Sequence, residues 1–277
     1  MIKALVNGRV SQVIGVTNRG LNYGDGLFET IKVVDGHPEF FDLHMCRLKA
    51  DCDRMRIACD LAAVRDDVAR IIQDFPRNNH VIKVIVARGE SGRGYKPSFR
   101  QAADRIVLLD TLPTAATKNE QAGVKVKLCD HRIGINNDLA GIKHLSRLEN
   151  VVARSEWSNS EIAEGLVMDS SGHIVEGTMS NLFLVRHGEL VTPSLQRCGV
   201  AGIIRQVILE VIAPQLGLKP RVKDIVLSDL YAAQELFICN SIIGIWPVVN
   251  VGCHHKVIGK LTRKIQKMLI SKASERV

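Results

Sequence analysis

Three segments of the 277-residue chain carry side chains whose types and settings could do chemistry together. In LAGIKHLSRLENVVARSE, residues 139–156, Lys143 follows a short apolar approach that contains a glycine. A lysine desolvated there has a lowered pKa, and a neutral amine is what Schiff-base chemistry requires. In HIVEGTMS, Glu176 closes a strand pattern just before small residues. A carboxylate at a strand end either faces water or pairs with a cationic ligand atom. In RCGVAGIIRQ, Gly199 and Gly202 lead into a helical pattern whose first turn has no acidic residue and holds Arg205. The helix dipole disfavours a cation there unless an anion is near, and free N–H groups at a helix start suit a phosphate. Each feature also has a plain structural reading: a snorkelling lysine, a solvated carboxylate, an ordinary glycine before a helix. Taken together, an amine, a carboxylate, an arginine in a helix and a phosphate-ready helix start form the set that pyridoxal phosphate needs. The lysine bonds the aldehyde, the carboxylate keeps the pyridine nitrogen protonated, and the arginine and helix start hold the phosphate.

Those residues need elements to position them. Asn7-Gly8, Asp35-Gly36 and His187-Gly188 lie between apolar runs and read as hairpin turns. Asp42 is placed to cap a helix with Arg47 in its second turn, and Asp60 to start a second helix with a Leu61, Val64, Val68, Ile71, Phe75 stripe. Ser146 and Glu149 form a capping-box pattern for a helix running to about Trp157. Another helix is expected from about Gly202. Strand and helix patterns mix without a regular βαβ alternation, which predicts an α+β fold. The polar, proline-containing stretch 113–123 reads as a linker between domains 1–112 and 124–277.

Composition narrows the function. The net charge of +8 favours anionic partners. Aromatic residues make up only 4%, and no nucleic-acid module signature occurs, so a nucleic-acid partner is not expected. The basic residues near the C-terminus, Lys256 to Lys272, read as a solvated helix face. The seven cysteines include no C-x-x-C pair, which reads as reduced thiols in the cytoplasm. Cys253-His254-His255 lacks a fourth ligand, and no metal is expected. No apolar run spans a membrane, and the first residues lack a signal-peptide core. RGESGRGYK is not followed at once by a helix pattern, so it reads as a mobile loop carrying Arg93 and Tyr95.

Six motifs in order resemble those of the fold-type IV pyridoxal phosphate enzymes, the family of D-amino-acid and branched-chain aminotransferases. They are LNYGDGLFETIKV, DLHMCRL, GIKHLSRLENV, VEGTMSNLFLV, GIIRQ and CNSIIGIWPV. The resemblance implies two α+β domains, each a mixed or antiparallel sheet or barrel with flanking helices, in a homodimer. It implies that Lys143 is the Schiff-base residue and Glu176 the partner of the pyridine nitrogen. Arg47, the backbone of Ile203 and Ile204, and Ser241 with Ile242 would hold the phosphate. Within the family, K-H-L-x-R-L-E and R-G-x-x-G-R-G-Y are similar to a lyase branch. Branched-chain aminotransferases have tyrosine five residues after the lysine, where this chain has Leu148. The lyase likeness implies loss of pyruvate from an amino-substituted enolpyruvyl ether. Lys143 would then move the proton, Thr30 would relay one to the leaving group, and Arg93 and Tyr95 would bind a substrate carboxylate. The alternative is a D-amino-acid or branched-chain aminotransferase using the same Lys143, Glu176 and Arg47.

Overall fold

Three two-residue turns set hairpin register by their backbone signs. The structure, a computed structural model, describes residues 3–75, 79–90, 92–98, 101–113 and 116–275. Asn7 and Gly8 sit at φ 50° and 76°, Asp35 and Gly36 at 50° and 78°, and His187 and Gly188 at 51° and 79°. Two successive positive φ values match the right-handed twist of the flanking strands, and Asn, Asp and Gly tolerate them best.

The chain divides into two units, Met1–Leu112 with Lys143–Ser146, and Pro113–Ile142 with Arg147–Val277. In chain order the first holds β1 (Lys3–Val6), β2 (Arg9–Val10), α1 (Arg19–Tyr23), β3 (Gly26–Val34), β4 (His37–Pro38), α2 (Phe41–Met55), α3 (Leu61–Gln73), β5 (His80–Ala87) and β6 (Asp104–Thr111). Its sheet runs β2-β1-β6-β5-β3-β4, antiparallel throughout. On β3, Leu27, Glu29, Ile31 and Val33 are buried while Phe28, Thr30 and Lys32 are half-buried, the period-2 pattern of a strand with one face on a core. Met45, Leu48 and Cys52 on α2, and Val64, Val68 and Ile71 on α3, recur at helical spacing and are buried.

The second unit holds α4 (Ala116–Ala122), β7 (Val124–Ile133), α5 (Leu148–Arg154), β8 (Ile162–Asp169), β9 (Ile174–Gly177), β10 (Asn181–Arg186), β11 (Glu189–Pro193) and α6 (Ile203–Val207). A π-helical stretch (Ile208–Ile212) and α7 (Ala213–Gln215) continue α6. β12 (Arg221–Lys223), α8 (Leu227–Ala232), β13 (Glu235–Asn240), β14 (Gly244–Val251), β15 (His254–His255) and α9 (Lys260–Ser274) follow. The sheet order is β12-β11-β10-β13-β14-β7-β8-β9, with β15 on β14, and it is mixed: β11–β12, β14–β7 and β7–β8 are parallel. Phe183 and Phe237 stack 5.0 Å apart on β10 and β13, fully buried. Each buried side chain of this size contributes about 1.5–3 kcal/mol. The fold is therefore α+β, with an antiparallel sheet in one unit and a mixed sheet in the other.

Three local expectations differ from what forms. The stretch 113–123 is not an open linker, because α4 lies in it. Arg263 and Gln266 of α9 donate to the Glu120 carbonyl at 2.8 and 3.0 Å, satisfying the end of that helix. Asp42 does not cap α2. The helix starts at Phe41 from a left-handed Phe40, so Asp42 is already inside the first turn and its carboxylate meets Arg65 at 2.8 Å. The Ser146/Glu149 capping box does not form either. Arg147 is the residue before α5, and Glu149 Oε1 instead accepts the Gly134 N–H at 2.7 Å. Asp60 does cap α3, accepting from Ala63 N at 3.1 Å.

This contrast is measurable. Asp60→Ala should cost about 1 kcal/mol, the usual loss for an N-cap, and Asp42→Ala less than about half of that. Urea unfolding followed by circular dichroism separates the two.

Candidate active site

The first unit carries Lys143 on an edge segment. Lys143–Ser146 runs antiparallel beside the start of β3: Phe28 N donates to Lys143 O at 3.0 Å, Leu145 N to Gly26 O at 2.9 Å, and Leu27 faces His144. That register sets Lys143 opposite Phe28, and the Lys143 Nζ lies 4.2 Å from the Phe28 ring centre. Strand alternation puts Thr30 on the Phe28 face. Asp51 of α2 holds the segment from behind, its Oδ2 accepting the Lys143 N–H at 3.0 Å. Burial raises the Asp51 carboxyl, against the pull of that bond.

The opposite face of β3 carries Glu29, which meets α2. His44, Arg47 and Asp51 recur at helical spacing on one side of that helix. Arg47 grips Glu29 with two nitrogens, Nε at 2.8 Å from Oε1 and Nη2 on Oε2, and His44 Nδ1 lies 2.6 Å from Oε2. Burial by itself would raise the Glu29 carboxyl. The Arg47 charge and the bonds from His44 and Arg47 outweigh it and bring the pKa to about 2. Burial lowers the His44 pKa, against the pull of Glu29, and its Nδ1, facing a carboxylate oxygen, is the donor. Arg47, for which the family resemblance implies a phosphate, has its guanidinium on a carboxylate of β3.

The second unit, taken by itself, carries a buried carboxylate beside a helix start. Glu176 lies one residue before the end of β9, 4% exposed. Its Oε2 accepts the Val200 N–H at 2.9 Å and the Asn181 Nδ2 at 3.2 Å. Asn181 also donates to Val200 O at 2.9 Å and accepts the Gly202 N–H at 3.1 Å, so one amide ties Glu176 to the residue that opens α6. A Cβ on Gly202 would lie 2.1 Å from Asn181 Oδ1, which is why glycine stands there. No side chain caps α6, and its first turn has no acidic residue. Arg205 has a local explanation: it donates to Pro193 O at 3.1 Å and Thr192 Oγ1 at 3.4 Å, and burial lowers its pKa. The turn between β9 and β10 is fixed by buried Glu164, which accepts from Thr178 N and Oγ1, Met179 N and Ser180 Oγ.

Of the remaining expected residues, Ile203 and Ile204 open α6 and are buried. Ser241 and Ile242 lie in the turn after β13, half-buried. The Ile242 N–H donates to Asn240 Oδ1 at 2.9 Å, and Asn240 donates to Met179 O at 3.0 Å. Arg93 and Tyr95 are exposed. Their loop is tied down: buried Arg19 donates to the carbonyls of Gly94 and Tyr95, each at 3.0 Å, and Tyr23 packs 5.5 Å from the Tyr95 ring. Ser91 of the same motif lies outside the described residues. Among the described residues no group of three or more His, Cys, Asp or Glu is arranged to hold a metal ion. Sequence reasoning missed Glu29, Asp51 and Asn181. The His44–Arg47–Asp51 spacing and the Ser180-Asn181 pair inside VEGTMSN were the available signals.

Comparison with known proteins follows this geometry. The family model described as amino-transferase class IV matches residues 26–251. Aminodeoxychorismate lyase of Vibrio harveyi is 34% identical over 267 residues, 94% of this chain and 97% of that protein. The crystal structure of 4-amino-4-deoxychorismate lyase from Pseudomonas aeruginosa is similar with a TM-score of 0.93 and 42% identity, over 97% of this chain and 98% of that one. The branched-chain-amino-acid aminotransferase of Escherichia coli K12 is 28% identical over 275 residues, 92% of this chain and 86% of that protein.

The Glu29 cluster predicts an acid limb of stability. The folded pKa of Glu29, about 2, lies below its ordinary value of 4.5, so its contribution is complete above about pH 5 and is lost as pH falls toward 2. The term is on the order of 3 kcal/mol. Glu29→Gln should be less stable than the parent at pH 7, and the gap should close between pH 5 and 2. Urea midpoints measured across that range check it.

Proposed function

The chain belongs to the class IV amino-transferase family, and on that premise we propose that it is an aminodeoxychorismate lyase. It converts 4-amino-4-deoxychorismate to 4-aminobenzoate and pyruvate with pyridoxal phosphate, a step of folate biosynthesis. The observation that carries this reading is the 42% identity to the Pseudomonas aeruginosa lyase over 97% of the chain. Leu148 supports it, since this position offers no phenol of the kind found in branched-chain aminotransferases.

The residues present fit the cofactor. The start of α6 is non-acidic, and no side chain at its N-cap takes the N–H groups of its first turn. Glu176 is a buried carboxylate held in place by an amide side chain and a backbone N–H. When bound, pyridoxal phosphate supplies an electron sink for the carbon that bears the substrate amine. Lys143 would hold the cofactor through its amine, and that amine would take the proton from the carbon bearing the substrate amine. The Phe28 ring beneath its Nζ and the Asp51 bond to its backbone fix its position. Thr30, on the Phe28 face, passes a proton toward the departing enolpyruvyl oxygen. Glu176 pairs with the pyridine nitrogen. The amides of Ile203 and Ile204 and the Ser241 hydroxyl bind phosphate oxygens. Ile242 shares its amide with Asn240, and Arg47 contributes as one member of its pair with Glu29. Arg93 and Tyr95 bind a substrate carboxylate from their tethered loop. The protein acts as a homodimer in the cytoplasm, and its seven free cysteines support a reducing compartment. No helix among the described residues is long and apolar enough to cross a membrane.

Product analysis with enzymatically made aminodeoxychorismate tests this directly. Equal amounts of 4-aminobenzoate and pyruvate are expected. Lys143→Ala should abolish the cofactor's visible absorbance and cut turnover on the order of 10³-fold or more. Fast transamination of D- or branched-chain amino acids with no aminobenzoate would replace the lyase by the aminotransferase on the same residues.

A further inference from the structure

A buried arginine holds the loop that carries Arg93 and Tyr95. Arg19 opens α1 and is 4% exposed. Its Nε donates to Asp25 Oδ2 at 2.8 Å, its Nη1 to Gly94 O and its Nη2 to Tyr95 O, both at 3.0 Å. Its guanidinium carbon lies 4.8 Å from the Tyr23 ring centre, and the Tyr23 ring meets the Tyr95 ring at 59°. A buried cation is a costly way to fill space, whereas its planar fork suits two successive carbonyls. The loop has little else to order it. Residues 92–96 are exposed and lie outside helix and strand, and Gly89 and Gly94 take φ 88° and 84°. Glycines leave such a segment many conformations, and the fork removes that freedom at the two residues that follow Arg93.

Asp25 anchors the fork. Both of its oxygens also accept Arg88 Nε, at 3.0 and 2.8 Å, and Arg88 donates to the carbonyls of Arg56 and Met55 at the end of α2, at 2.7 and 2.8 Å. Burial by itself would raise the Asp25 carboxyl; the bonds and charges of Arg88 and Arg19 outweigh it and lower the pKa. One ionised carboxylate thus joins the loop to the end of the helix that bears Arg47 and Asp51, and two guanidiniums leave a surplus positive charge that favours an anion. We propose that Arg19 is a positioning residue for substrate binding, which preorganises the 92–96 loop so that Arg93 and Tyr95 meet a carboxylate of the substrate. This rests on the roles proposed above for Arg93 and Tyr95, and Arg19 acts through the loop and not on the substrate. Preorganisation lowers the ordering cost of binding, so its loss falls on KM and spares kcat and the cofactor.

The test compares the holoenzyme with Arg19→Met and Arg19→Lys. Asp25 keeps Arg88 in both variants, and circular dichroism checks their folding. Within residues 92–98 trypsin can cut only the Arg93–Gly94 bond, because Lys96 precedes Pro97. In Arg19→Met that cleavage should speed up about tenfold, and KM for 4-amino-4-deoxychorismate should rise about tenfold, with kcat and the visible cofactor absorbance within about twofold of the parent. Arg19→Lys keeps the charge without the fork and should resemble Arg19→Met; it carries the same test if Arg19→Met misfolds. Parent-like cleavage or an unchanged KM in either variant overturns the proposal, as does a loss that falls on kcat or on cofactor absorbance. A parent enzyme that transaminates amino acids and makes no aminobenzoate defeats the lyase reading alone, and KM for the amino acid then decides the role of Arg19.

Discussion

An ionised carboxylate inside a protein must be answered where it stands, because leaving it unpaired away from water costs several kcal/mol. Glu29, Glu164, Glu176 and Glu235 are all at most 9% exposed, and each is answered differently. Glu29 has a cation and an imidazole. Glu235 accepts from Thr262 N and Oγ1 at the start of α9, where the helix dipole also favours an anion. Glu164 is wrapped by backbone and hydroxyl donors of the turn it fixes. Glu176 takes its Asn181 and Val200 bonds on one oxygen, from neutral groups. The two built on turns and helix starts are structural. Glu176 is tied by an amide side chain and a backbone N–H to the segment that opens α6.

Asn181 shows how little freedom that arrangement leaves. Its carbonyl oxygen takes the Gly202 amide while its nitrogen serves both Glu176 and Val200. Side-chain amides offer two donors and an acceptor in one plane, so no acid or hydroxyl could replace it. Glycine at 202 follows from the same bond, since any Cβ would displace the Asn181 oxygen. The carboxylate and the helix start are thus one hydrogen-bonded unit.

What the sequence made legible was local. The three hairpin turns need only two residues each, and Asp60 caps a helix whose stripe follows it directly. The segments bearing Lys143, Glu176 and the α6 start could be found because glycines and small residues mark them. Asp42 and Glu149 failed as caps because partners far along the chain, Arg65 and Gly134, compete for the same carboxylates. The Arg47–Glu29 pair was illegible for a related reason. It joins a helix position to a strand position through the register of β3, and no spacing rule encodes that register. The helix in 113–123 needed side chains of α9 to close its end, and a polar composition alone reads as loop.

The division between fixed and exposed residues bears on which reaction runs. Fold alone does not decide between elimination and transamination, since both need the same amine, carboxylate and phosphate site. The residues proposed for those roles sit on buried, hydrogen-bonded supports: Asp51 behind Lys143, Asn181 beside Glu176, glycine before α6. Thr30 is half-buried, and Arg93 and Tyr95 are exposed on a loop tethered through backbone carbonyls. Substituting such side chains disturbs little packing, so reaction type can change there at small cost in stability. The support residues tolerate no such change, because each completes the bonding of a buried group. On the roles proposed above, the choice of reaction therefore rests on the few side chains the fold does not need.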